Sequence, residues 1–80
     1  MSFDDLMKLV AEDAMRIGDD VLYTKTSEGG AHVSLASDDG MFRYHIPSIA
    51  DMMAEVNVTI IEGDTPVDVF WCILNTNYRT

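Results

Sequence analysis

With 80 residues, 48% of them hydrophobic, and a formal charge of -9 from fourteen acids against five Lys and Arg, the chain is sized for one small folded domain and is not an acidic disordered tail. That charge argues against direct binding to DNA, RNA or anionic lipid, where affinity comes from neutralising phosphates with Lys and Arg. It suits a basic partner, or simple solubility.

Cys72 is alone, so no intrachain disulfide can form, and no Cys/His spacing suggests a zinc site. The opening "MSFDDLMKLV" has neither a basic n-region nor a cleavage site. The longest apolar run falls far short of the roughly 20 residues of a spanning helix. A free thiol without an export signal leads to the expectation of a cytoplasmic location, the host cytoplasm if a phage encodes the chain. A domain of this size buries roughly 60–65% of its unfolded surface, which leaves a thin stability margin. Without a covalent staple or metal, self-association is the expected remedy.

In chain order, Ser2 can cap a first helix with Asp5 at N3. Phe3, Leu6, Met7, Val10, Ala14 and Ile17 recur at three- and four-residue spacing and form its apolar face. Acids in the first turn and Arg16 in the last suit the helix dipole, and Gly18 suits the C′ position. Residues 21–27 predict a strand, followed by the turn "SEGG". Ala31, Val33 and Leu35 then alternate with His32, Ser34 and Ala36, and Phe42, Tyr44 and Ile46 with Met41, Arg43 and His45. Asp39-Gly40 as the two-residue loop of that hairpin would set Val33 opposite Ile46 and Ser34 opposite His45.

Pro47 ends the strand, and Ser48 with Asp51 caps a second helix bearing Ile49, Met52, Met53 and Val56. A fourth strand is expected over 57–62, a turn at "GDTP", a fifth strand over 67–75, and an irregular tail over 75–80. The whole chain, 1–80, then reads as a single α+β domain of order α-β-β-β-α-β-β, with helices packed on a curved, mostly antiparallel sheet. This order resembles that of type III secretion chaperones, which are small acidic dimers. The present chain is shorter and shares no residue motif with them.

The fifth predicted strand is apolar on both faces, with Val67, Val69, Trp71 and Ile73 on one and Phe70, Cys72 and Leu74 on the other. Either it lies centrally between helices, or the face of Phe70, Cys72 and Leu74 is closed by a second copy or another protein. The second alternative makes those three residues an oligomer interface, in a homodimer or higher oligomer.

No catalytic motif, phosphate loop or cofactor signature is present, and enzyme activity is not expected. The acids Asp4, Asp5, Glu12, Asp13, Asp19, Asp20, Asp38 and Asp39 fall in pairs without calcium-loop spacing, so no metal is expected. They form a distributed negative surface that could imitate a row of phosphates, or serve solubility alone. Arg43, His45, Tyr78 and Arg79 are the local concentration of anion-binding side chains. They would form a possible anion ligand site if the tail folds back.

These features lead to the expectation of a non-enzymatic acidic protein that occludes a basic surface of a protein partner. Small phage or mobile-element inhibitors of host nucleic-acid-handling or defence systems are similar in being compact, acidic and poor in motifs. Two alternatives stay open. One is an oligomeric protein sequestering an anionic small molecule such as a nucleotide, and the other is an assembly factor or chaperone for a basic partner.

Overall fold

The computed structural model describes residues 1–60 and 64–80. In chain order it contains α1 (Phe3–Arg16), β1 (Asp20–Lys25), β2 (Ala31–Ser37), β3 (Gly40–Ile46), α2 (Ile49–Thr59), α3 (Pro66–Ile73) and a π-helical stretch, Leu74–Tyr78. The domain is α+β: among the described residues, three α-helices pack on one face of an antiparallel sheet of order β1-β2-β3.

One capping device starts all three helices. The hydroxyls of Ser2, Ser48 and Thr65 each accept from the backbone N–H three residues on, at Asp5, Asp51 and Asp68, all at 3.2 Å. Each bond satisfies a donor the helix cannot, and the acid sits at the positive end of the helix dipole. α1 ends as its sequence predicts: Gly18 takes φ +84 after the Ile17 cap. Ile17 itself, expected on the apolar face, is 67% exposed, because the chain has already left the helix there.

The two last strands predicted from the sequence are corrected. Residues 57–59, expected to open a fourth strand, are the last turn of α2, and 61–62 lie outside the described residues. The β-branched Val58 and Thr59 favour a strand locally. The three- and four-residue spacing of Met52, Met53, Val56 and Ile60 carries the helix through them, with Ile60 N–H donating to Val56 O at 3.0 Å.

The expected fifth strand is α3. Pro66 occupies the first turn, where its missing N–H costs nothing. Val69, Phe70, Ile73 and Leu74 then fall on one helical face and are buried against the core. The apolar run that looked two-sided as a strand is one-sided as a helix. The tail over 75–80 is not irregular either. It forms most of the π-helical stretch and then returns to the sheet, where Arg79 pairs with Tyr44 and Thr80 N–H donates to Arg43 O at 3.2 Å. With these corrections the expected order holds for its first five elements, α-β-β-β-α, and the two closing strands of the likeness to type III secretion chaperones are absent among the described residues.

β2 and β3 alternate as their sequence predicts, but the register differs by two residues. Ser37 pairs with Gly40, so Asp38-Asp39 is the loop, and Val33 lies opposite Tyr44, Ser34 opposite Arg43, His32 opposite His45. A shift of two leaves every side chain on its face, so the core is unaffected. Ala31, Val33, Tyr44 and Ile46 face the helices, while His32, Met41, Arg43 and His45 face away. Gly30 is buried against the end of β3, where a Cβ would run into the backbone oxygens of Ile46 and Pro47. Close backbone approach therefore fixes glycine at that position.

Candidate functional site

α1 sets the charge pattern of the helical side. Its apolar positions are committed to the core, so Asp4, Asp5 and Glu12 are exposed and Asp13 half-buried. Two ion pairs occur among the described residues, Arg16 with Asp13 and Lys25 with Asp4. The Lys25 ammonium hydrogen-bonds Asp4 at 2.8 Å and holds its carboxyl below the ordinary range; Asp4 in turn raises Lys25. The other carboxylates named so far have no cation within 4.0 Å among the described residues.

Where α1 passes the start of α3, a recess of about 610 Å³ opens between them. Glu12, Asp13 and Asp68 stand around it, with Leu9 and Val67 as its apolar floor. Its one cation, Arg16, is engaged by Asp13. The arrangement combines uncompensated negative charge with apolar surface. It could accept cationic groups carried on an apolar scaffold, since three carboxylates line it against one cation. A strand over 67–75 gives no reason to group Asp68 and Val67 with the acids of α1; a helix there does. The signal that finds them is the Thr65-x-x-Asp68 pattern, the same spacing as at Ser2 and Ser48.

The remaining predicted acids leave the helix. Asp19 and Asp20 follow α1, and Asp38 and Asp39 form the β2–β3 loop just beyond Ala36, the partner of Asp20. These four acids therefore gather at one end of the sheet, on loop and strand-end positions rather than on the α1 face.

Phe70 and Leu74 are fully buried in the chain's own core, and Cys72 is exposed. On a helix Phe70 and Leu74 lie one turn apart, whereas Cys72 lies roughly opposite them. The three residues do not share a face, and the argument for an oligomer built on them falls with the strand it required.

The candidate anion site is divided. Arg43 and Arg79 line one shallow recess of about 440 Å³ with Phe42 and Thr80, at the edge of β3. The Arg79 guanidinium lies 5.2 Å from the Phe42 ring centre, a cation–π contact. Neither arginine has an acid within 4.0 Å among the described residues. His45 is on the same face of β3 as Arg43 but does not line that recess, and its ring is stacked on His32 across the strands at 4.6 Å and 15°. Among the described residues no third metal-ligating side chain joins that pair. Tyr78 belongs to the α2 side, where burial and then Glu55 and Asp51 push its phenol above the ordinary value.

No helix among the described residues is long and apolar enough to cross a membrane. Compared with protein-family models, with curated proteins and with solved structures, the chain finds no match.

Proposed function

We propose that this chain is a non-enzymatic binding protein whose acidic helical side occludes a basic surface of a protein partner. The observation that carries the reading is the recess between α1 and α3, where Glu12, Asp13 and Asp68 ring the apolar Leu9 and Val67. Carboxylates at a rim steer the encounter and select a cationic partner, and the desolvated apolar centre supplies most of the affinity. Covering cationic groups in this way would deny them to phosphates. Inhibition of a nucleic-acid-handling protein, as a phage or mobile element would use it, is the role such a surface suits.

The experiment compares charge reversals on two parts of the molecule. A partner captured at low salt is expected to be basic and to associate more slowly as salt rises. It should lose most of its affinity for Glu12→Lys/Asp13→Lys and keep it for Asp38→Lys/Asp39→Lys. Equal loss in both variants, or loss in neither, removes the recess from the reading.

A second reading, the sequestering of an anionic small molecule such as a nucleotide, is favoured by one observation. Arg43 and Arg79 share a recess without an acid partner among the described residues. A nucleotide that raises the melting temperature of the wild type but not of Arg43→Ala would support it.

A further inference from the structure

On the other side of α1, the chain that leaves the helix builds a second recess. The turn at Ile17 and Gly18 is closed by Asp19 N–H donating to Ala14 O at 2.9 Å, which holds Asp19 beside the helix end. α1 stops there, and Leu35 on the core face of β2 is left half-exposed, with Trp71 of α3 beside it. The space is about 250 Å³, walled by Leu35, Tyr44, Trp71 and Ile17 and rimmed by Asp13 and Asp19. Tyr44 and Trp71 have ring centres 5.7 Å apart and tilted by 55°. The Tyr44 hydroxyl donates to Asn75 Oδ1 at 2.7 Å, which fixes the phenol ring in place.

From this geometry we infer that the recess is a socket for one cationic side chain, a guanidinium or an ammonium on its alkyl stem, presented by the partner's basic surface. The inference rests on the reading of a basic partner and names the group that anchors it. Two features give the chemistry. The walls are apolar and aromatic, and they match the methylene stem of Arg or Lys as well as the attraction of an indole face for a cation. The rim is negative: Arg16 neutralises Asp13, whereas Asp19 has no cation within 4.0 Å among the described residues.

An anion would meet Asp19, and a neutral alkyl chain would leave that carboxylate desolvated without a partner. Size narrows the choice further, since sites for whole small molecules start at roughly 300 Å³ and this one is smaller. Asp13 lines both this socket and the recess between α1 and α3, so a partner lying across the C-terminal half of α1 reaches both.

Trp71 is the chain's single tryptophan, so its emission and its indole N–H resonance report on the socket directly. The probe is the peptide acetyl-Gly-Arg-Gly-amide, with the citrulline peptide as its neutral isostere. Titration of the wild-type chain with the arginine peptide should move both signals saturably. The citrulline peptide should bind about fivefold more weakly, and Asp19→Asn should bring the arginine peptide part of the way down to that level while Asp38→Asn leaves it unchanged. Equal affinity for the two peptides, no response of either signal, or indifference to Asp19→Asn overturns the socket. Because no protein partner is involved, such a failure leaves the reversal experiment at Glu12 and Asp13 untouched. Failure of that experiment leaves the peptide result to be judged separately.

Discussion

The phenol of Tyr44 lies buried on the core face of β3, hydrogen-bonded to Asn75. Burial raises its pKa above the ordinary value of 10.0, and the nearby Arg79 opposes this more weakly. The native state therefore holds the phenolic proton more tightly than the unfolded chain does. The stability this confers is complete below the unfolded pKa and is lost as pH rises from about 10 through the folded value. Tyr44→Phe removes both the hydrogen bond and the titration. At neutral pH it should cost about 1 kcal/mol, and in urea unfolding near pH 10.5 the gap from wild type should narrow, because only the wild type pays the alkaline cost. A gap that widens with pH would contradict this account of Tyr44.

At the scale of elements, α3 depends on a short N-terminal device. Thr65→Ala leaves the Asp68 N–H without its side-chain acceptor and should cost about 1 kcal/mol, a fall of about 4–8 °C in melting temperature for a domain this small. Thr65→Ser should restore the loss, and a melting temperature indifferent to Thr65→Ala would mean that packing alone holds the helix.

This device also marks where the fold was legible. α1 and the start of α2 could be read because cap and periodicity agree, and the β2–β3 hairpin because its alternation is strict. Its register was not, since a shift of two preserves that alternation and the turn alone decides it. At α3 the cap was hidden inside "GDTP", which reads equally as a turn, and a short run of Val, Phe, Trp and Ile satisfies a buried strand or a helix. The acids of α1 were legible as a surface. The Trp71 socket was not, because Ile17, Asp19, Leu35, Tyr44 and Trp71 meet only through the tertiary fold and share no spacing.

For the molecule as a whole, the charge of -9 faces two ion pairs among the described residues. Screening thus has more repulsion to relieve than attraction to weaken. Raising salt from about 0.01 M to about 1 M, which shortens the Debye length from ~30 to ~3 Å, should raise the melting temperature by about 4 °C or more. A fall instead would mean that the acids form a stabilising network.

The return of Arg79 and Thr80 to β3 bears, finally, on the order in which the molecule assembles. β1, β2 and β3 follow one another directly, and their pairing closes only short loops. The bond from Thr80 Oγ1 to Arg43 O spans 37 residues and has no place until α2 and α3 have docked. We expect a contact of that kind to form after the rate-limiting barrier, where it acts as a brake on unfolding. Arg79 already has the extended backbone that precedes proline readily, so Thr80→Pro removes both donors to Arg43 without forcing the chain elsewhere. In stopped-flow kinetics this variant should unfold several times faster, by about 1 kcal/mol, and refold at the wild-type rate.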